Sequence, residues 1–439
     1  MHCVMNKSAY AVMSRVAVAL TTTLLMFAGI ASAQPILMLR EAVRLATARD
    51  PRIREADAKQ AQAASEAGVL GARFGPALFT GAGAVYTYGF PQTPGGAPPS
   101  LFNLAMTQTL FDVIARGEKR AGTDRLEIGK LTAGGVRDAV TVEAAATYLE
   151  LATVQRVLER QRSAVVSGDQ MVNLITQRLQ EGRALPADIL QARLAAARIA
   201  QRIVQLEGRE LVLDGQLHLL TGLPSTQPVI ASFEELPLLP DRSVVELVAL
   251  AAASDPNVKS AELEVSARFN ILAGQQAGYW PSVDFIGNYA VFTKFNNFDR
   301  FFSQYQRHNV NVGVEAKVPL FNAARGPAVA LARSQLLEAE ASSRRQREAV
   351  ELTVRQALQQ ANDATAARKV AEIDLAAAQE SVRVSQARAA EGRADRLDVE
   401  KALVEEGRAW DGFLTSQMEQ QRGQLHLRRI TGELGRLFP

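Results

Sequence analysis

The segment Asn309-Val310-Asn311-Val312-Gly313-Val314-Glu315-Ala316-Lys317-Val318-Pro319-Leu320 alternates apolar and polar residues almost without error. Successive side chains of an extended strand point to opposite sides, so a period of two predicts a strand with one apolar face. Val310, Val312, Val314, Ala316, Val318 and Leu320 form that face; Asn309, Asn311, Glu315 and Lys317 form the other. A partner stretch spans 282–293, with Val283, Phe285, Tyr289 and Val291 on one side and Asp284 and Asn288 on the other. The first half of the chain carries a less regular pair, 77–88 and 101–111, in which Phe102, Leu104, Met106 and Leu110 share a face. Such segments suit a soluble sheet with one wet face or the lipid-facing strands of a transmembrane barrel. Tyr86, Tyr88 and Phe90, and Phe292, Phe295 and Phe298, gather at one end of the hairpins, as an interfacial girdle would. Four strands cannot close a barrel, and an open edge in hydrocarbon leaves backbone groups unpaired at several kcal/mol each. Either the strands are soluble or several chains pool them, and three chains would supply twelve.

Outward from the strands the chain is helical. No proline occurs from Asp112 to Glu181 or from Ala328 to Arg436. Val136, Val140, Ala144, Thr147, Leu151, Val154 and Leu158 step by four and three, the spacing of an apolar helical seam. A helix of that length, at 1.5 Å per residue, is roughly 100 Å long and must lie along other helices. Shorter helices are expected over 39–73 and 244–278, each broken at an Asp-Pro step, Asp50-Pro51 and Asp255-Pro256. Asp at an N-cap accepts an orphan N–H, and Pro at the next position has none to leave unpaired.

These elements occur twice. Leu110-Phe111-Asp112 matches Leu320-Phe321-Asn322, and Glu181-Gly182-Arg183 matches Glu391-Gly392-Arg393, both at an offset of 210. Asp188 and Asp398, Ala192 and Ala402, and Thr221-Gly222 and Thr431-Gly432 keep the same offset. The unit is too large for a solenoid repeat. The expected organisation is a first repeat over 34–223, an irregular linker over 224–242 with four prolines, and a second repeat over 243–439. Residues 1–33 read as a secretory signal: Lys7 and Arg15, an apolar run from Val16 to Ile30, then Ala31-Ser32-Ala33 before Gln34. Its removal takes the only cysteine, Cys3, and lowers the formal charge from +3 to +1. The near-neutral remainder gives no basis for nucleic-acid binding. Without a cysteine at the new N-terminus, lipidation is not expected, and no later segment has the about 18 apolar residues of a membrane helix.

The duplicated plan, with Gly75-Pro76 and Trp280-Pro281 ahead of each first strand and Gln108-Thr109-Leu110-Phe111-Asp112 and Val318-Pro319-Leu320-Phe321-Asn322 after each second one, resembles the TolC-like outer-membrane factor family over nearly all of the mature chain. The resemblance implies a mainly α fold with a transmembrane β-barrel: a homotrimer with a twelve-stranded barrel in outer-membrane lipid and a long helical tunnel across the periplasm. It makes the far turns, Gly182 to Asp188 and Gly392 to Asp398, periplasmic tips that touch a periplasmic adaptor (membrane fusion) protein of an inner-membrane pump of RND, ABC or MFS type. An iris-like movement opens these tips. Asp398 matches the first of two family tip aspartates, while the second position holds Lys401, which would neutralise Asp398 or a neighbour. The family's Val-Gly-Leu adaptor pattern survives as Gly182 and Leu185, and the second copy reads Gly392-Arg393-Ala394-Asp395.

No His-Glu-x-x-His, Gly-x-Ser-x-Gly or phosphate-loop pattern is present, and His308 reads as a loop or interface residue. Neither an enzyme nor a cofactor is expected. The reading is a passive exit duct for small molecules, metal ions or secreted proteins. The rival is a soluble periplasmic coiled-coil scaffold.

Overall fold

The computed structural model describes residues 37–82, 100–225, 228–240, 242–292, 306 and 308–438. Helices α1 (Leu39–Arg49) and α2 (Pro51–Ala72) lead to strand β1 (Ala77–Gly81). Strand β2 (Ser100–Phe111) returns into α3 (Val113–Gln180), and α4 (Pro186–Thr221) runs back along it. The second half repeats the order with α5 (Val244–Ser254), α6 (Pro256–Gln276), β3 (Ser282–Phe292), β4 (His308–Lys317), α7 (Arg325–Ala390) and α8 (Arg396–Ile430). The breaks between α1 and α2 and between α5 and α6 fall at the Asp-Pro steps. Asp50 accepts the Arg52 N–H at 2.8 Å, and Asp255 accepts those of Asn257 and Val258. The Arg52 guanidinium bonded to Asp50 also holds that carboxyl below the usual carboxylate range.

The four strands form one antiparallel sheet in the order β1-β2-β3-β4. Its register carries the alternation of each strand across the whole sheet. Leu78, Met106, Gly287 and Val312 lie in one row, and Gln108, Phe285 and Val314 in another, on the apolar face. The opposite face carries Thr109, Asp284 and Glu315, then Ala105, Asn288 and Asn311. Phe79 and Ile286 break the pattern on the polar side, and Gln108 on the apolar side, where its amide reaches the Phe74 carbonyl. Val310, Val312 and Val314 are each more than 60% exposed, so the apolar face of β4 is uncovered among the described residues.

Two expectations change. The last strand stops at Lys317, because Pro319 has no N–H for a ladder. A register shift between Thr109 and Phe111 leaves Leu110 unpaired and sets Phe111 opposite Val283, so Phe111, in place of Leu110, extends the apolar row. His308 opens β4 and bonds the Tyr289 hydroxyl at 2.9 Å. Tyr86, Tyr88, Phe90, Phe295, Phe298 and the Phe292 side chain lie outside the described residues.

Each strand continues into a helix, and the helices keep the order of the sheet: α2, α3, α6, α7 beside it and α4, α3, α8, α7 further away. The 68-residue α3, central in both layers, carries the expected seam. Val140, Ala144, Leu151, Val154 and Leu158 are buried with α1 and the buried face of α4. The linker crosses that face in extended form. Its backbone is held by side chains: Tyr148 bonds Ser232, Gln155 bonds Val229 and Ala231, and Gln421 and Gln424 accept the Leu236 and Leu239 N–H groups. The outer members of the layer keep apolar side chains in the open, Leu190, Leu194, Val204 and Leu211 on α4 and Leu331, Leu352, Val370 and Ile373 on α7. Among the described residues both sheet edges, β1 and β4, are likewise unpaired by other strands. Barrel closure therefore needs further copies, and three of them bring twelve strands.

Helices α3 and α6 approach closely at Gly117, where an added Cβ would lie 2.5 Å from the Asn270 carbonyl oxygen. Gly117→Ala is expected to cost about 1–3 kcal/mol through overpacking. Gly134→Ala, on the same helix with no atom within 4 Å of the new methyl, is expected to stabilise by up to about 1 kcal/mol through helix propensity. Circular-dichroism melts of the two variants against the parent protein check the opposite signs.

Candidate functional site: the hairpin tips

Helix α3 ends at a left-handed glycine, Gly182 (φ 71°), and α7 ends the same way at Gly392 (φ 69°). The chain reverses there because only glycine takes this conformation without a Cβ penalty. In the first tip the Arg183 N–H reaches the Arg178 carbonyl at 2.7 Å and the Gly182 N–H reaches Leu179 at 3.1 Å. In the second, Arg393 reaches Arg388 at 2.8 Å and Gly392 reaches Ala389 at 3.0 Å. Both turns thus pair the last carbonyls of a long helix without outside help.

The return helices start differently. In the first tip Leu185 stands at the N-cap with its side chain exposed, Pro186 follows, and Asp188 accepts the Leu185 N–H at 2.8 Å. Leucine has no acceptor, so only half of a capping box exists there. In the second tip the box is complete. Asp395 accepts the Leu397 N–H at 3.4 Å, and Asp398 accepts the Asp395 N–H at 3.2 Å. Asp398 therefore turns back onto its own helix start, and the Lys401 ammonium is not its partner. Lys401 is exposed and makes no ion pair within 4 Å among the described residues. It lines a cavity of about 560 Å³ between the two hairpins, together with Asp188, Arg178, Arg183 and Glu405. The floor of this groove is apolar, with Met171, Ile175, Ala192 and Leu397.

Two arginine ties cross from the first-repeat hairpin to the second. Arg178, one turn from the end of α3, pairs with Asp395. Higher up, Arg202 on α4 grips Asp411 on α8 through both nitrogens of its fork, at 2.7 and 2.8 Å. Arg396 adds a hydrogen bond to Gln170 at 3.2 Å. The planar guanidinium suits such two-point contacts. The structure thus brings together Asp188 and Lys401 around one groove, with Gly182 and Leu185 at one tip and Gly392 and Asp398 at the other. Nothing in the sequence pointed to Arg178, Arg202 and Asp411, and Asp395 appeared in it only within the second copy of the adaptor pattern.

Removing the Asp398 carboxylate by Asp398→Ala is expected to lose about 0.5–2 kcal/mol of local helix stability. Asp398→Asn keeps an acceptor oxygen and should lose less. Hydrogen exchange of the Asp395 amide reads the difference: faster in the alanine variant, near the parent rate in the asparagine variant.

Comparison with known proteins is consistent with this architecture. A search of curated proteins found no match. Among solved structures the chain is similar to a membrane protein from Pseudomonas aeruginosa (TM-score 0.74, 18% identity, 90% of each chain covered). It is also similar to the outer membrane protein VceC of Vibrio cholerae (TM-score 0.71, 18% identity, 90% of this chain and 96% of that one). The CmeC outer membrane channel of Campylobacter jejuni matches over 90% of this chain and 86% of its own, at 14% identity and TM-score 0.71. At these identities the likeness establishes the fold. The profile of outer membrane efflux proteins matches residues 42–223 and 247–433, which is most of the chain and both of its halves, and the chain belongs to the outer membrane efflux protein family.

Proposed function

We propose that three copies of this chain form the passive exit duct of a tripartite efflux pump or a type I secretion system. The barrel stands in the outer membrane and the helical layers enclose a tunnel through the periplasm. The chain is exported by the signal at residues 1–33 without lipidation. The observation that carries this reading is the sheet: among the described residues its apolar face is continuous across four strands, bare along β4, and bounded by two open edges. In water such a surface exposes valines at about 1.5–3 kcal/mol each. In a closed barrel the same face meets lipid, and the polar face lines a wet passage.

No energy-coupling site is assigned to the chain, so the driving force is assigned to an inner-membrane pump of RND, ABC or MFS type, reached through a periplasmic adaptor. The adaptor contact is placed at Gly182, Leu185 and Gly392, with Asp188 and Lys401 flanking the groove between the tips. The arginine ties make a closed state of the gate. Each holds the α7–α8 hairpin against the α3–α4 hairpin, and opening needs them released. Cargo follows the pump and not the duct.

The first test is extraction. The mature chain should sediment with outer membranes, resist high salt, and leave in detergent as a trimer. A monomer that stays in solution without detergent would sink the duct and favour the scaffold. The gate is tested in planar bilayers. Arg178→Gln with Arg202→Gln should raise single-channel conductance severalfold, whereas unchanged conductance removes the ties from gating. Asp398→Ala with unchanged cation selectivity likewise removes that carboxylate from any acidic ring.

A further inference from the structure

The foot of the barrel, where strands become helices, concentrates cations on aromatic rings. Phe111 stands opposite Val283 on the apolar side of the sheet, and the Trp280 ring lies 6.4 Å from it. The Arg116 guanidinium lies over the Phe111 ring at 4.6 Å. Lys119 lies over Phe74 at 5.4 Å, and Arg325 over Tyr279 at 4.6 Å. Such contacts hold a cation in place but leave its N–H donors for another acceptor.

Carboxylates at this level are already engaged. Asp112 caps α3 through the Ile114 and Ala115 N–H groups, and Glu118 pairs with Arg73. Among the described residues none lies within 4 Å of Arg116, Lys119, Arg120 or Arg325. Arg325 is 8% exposed, and its buried Nη1 has no acceptor. Its fork lies against Gly278 at the end of α6, so the donors open to a ligand from outside are those of Arg116 and Lys119, exposed on α3.

The apolar surface continues to the same level. Val318 and Leu320 follow the parity of the apolar face beyond the end of β4, and Leu320 and Phe321 are 91% and 87% exposed. Exposed aliphatic and aromatic side chains beside paired-up cations are what a membrane–water interface accommodates. A phosphate offers the acceptor that these donors lack, and acyl chains offer the cover that the apolar surface lacks.

We propose that the foot of the barrel binds an anionic phospholipid of the periplasmic leaflet, its phosphate held by Arg116 and Lys119, exposed three residues apart on α3, and its chains against Phe111, Trp280 and the apolar face above them. This rests on the apolar sheet face being lipid-facing. The site would anchor the height of the barrel in the membrane, since charge and aromatic belt sit at one level of the duct.

Native mass spectrometry of the detergent-solubilised oligomer, incubated with phosphatidylglycerol or phosphatidylcholine, tests the site. The parent protein should retain phosphatidylglycerol in preference. Arg116→Gln with Lys119→Gln, both at exposed positions on α3, should weaken that retention by about fivefold for each charge removed. Equal retention of the two lipids, or undiminished phosphatidylglycerol on the variants, overturns the proposal. So does a melting midpoint raised as much by inorganic phosphate as by phosphatidylglycerol, which would assign the cations to a soluble anion. A chain that leaves the membrane without detergent overturns the lipid-facing barrel itself. A detergent-requiring oligomer with no headgroup preference overturns only the lipid site.

Discussion

The structure depends on one constraint: peptide N–H and C=O groups facing hydrocarbon must be bonded to one another. A helix meets it within itself, and a sheet meets it only when no edge is left. The described residues form four strands in one sheet with two edges. The rest of the architecture follows from carrying that sheet order downward. Since α2, α3, α6 and α7 continue the strands in sequence, the helical layer has its open edges at the same two sides as the sheet. The apolar side chains left bare on α4 and α7 lie on those sides. One geometric requirement in the membrane thus sets the contact surfaces of helices far outside it. It also explains why the element lengths of the two halves agree: α3 and α7 have 68 and 66 residues, and α4 and α8 have 36 and 35. A ring built from unequal staves would not close at both ends.

Much of this was legible in the residues because it is periodic. A period of two over Asn309 to Lys317 and a four-three period from Val136 to Leu158 describe local backbone geometry, which neighbouring residues determine. The Asp-Pro steps were legible for the same reason: cap and helix are adjacent in the chain. What was hidden depends on partners distant in sequence. The bond from Gln155 to Val229, 74 residues on, and that from Gln421 to Leu236, 185 residues back, turn an irregular proline-bearing linker into a fixed strap. Nothing in the composition of 224–242 announces it. The shift that replaces Leu110 by Phe111 on the apolar face was equally hidden, since a bulge is defined by the strand opposite.

The tips show a different kind of ambiguity. An aspartate three residues after a helix start has the same spacing whether it caps the helix or lines a pore. Position alone read Asp398 as a gate group, and the geometry engages it with the Asp395 N–H. These roles compete for the same lone pairs, so a carboxylate spent on a backbone amide offers less to a passing cation. Lys401, at the position of the family's second tip aspartate, was read as neutralising Asp398 or a neighbour. Its side chain lines the groove that also holds Asp188, which belongs to the other hairpin. Spacing along one helix indicates which residues share a face, but not which helix that face meets.

The two halves of the chain differ where they are most alike in backbone. Both tips turn at a left-handed glycine, yet one return helix begins at Leu185 and the other at Asp395. Asp395 gives its own helix a full capping box and also receives Arg178. Leu185 gives neither, and leaves an apolar side chain 67% exposed. The second-repeat hairpin is therefore the tethered one, and the first-repeat tip is the one that offers bare apolar surface. Duplication supplies two equal levers. Leucine at one N-cap and aspartate at the other leave the first tip with an exposed apolar side chain and give the second a charge tie. Charge ties at a wet surface are weak singly and are screened by salt, which suits the releasable hold proposed for the gate. Burying a leucine is insensitive to salt, which suits the adaptor contact proposed for the first tip.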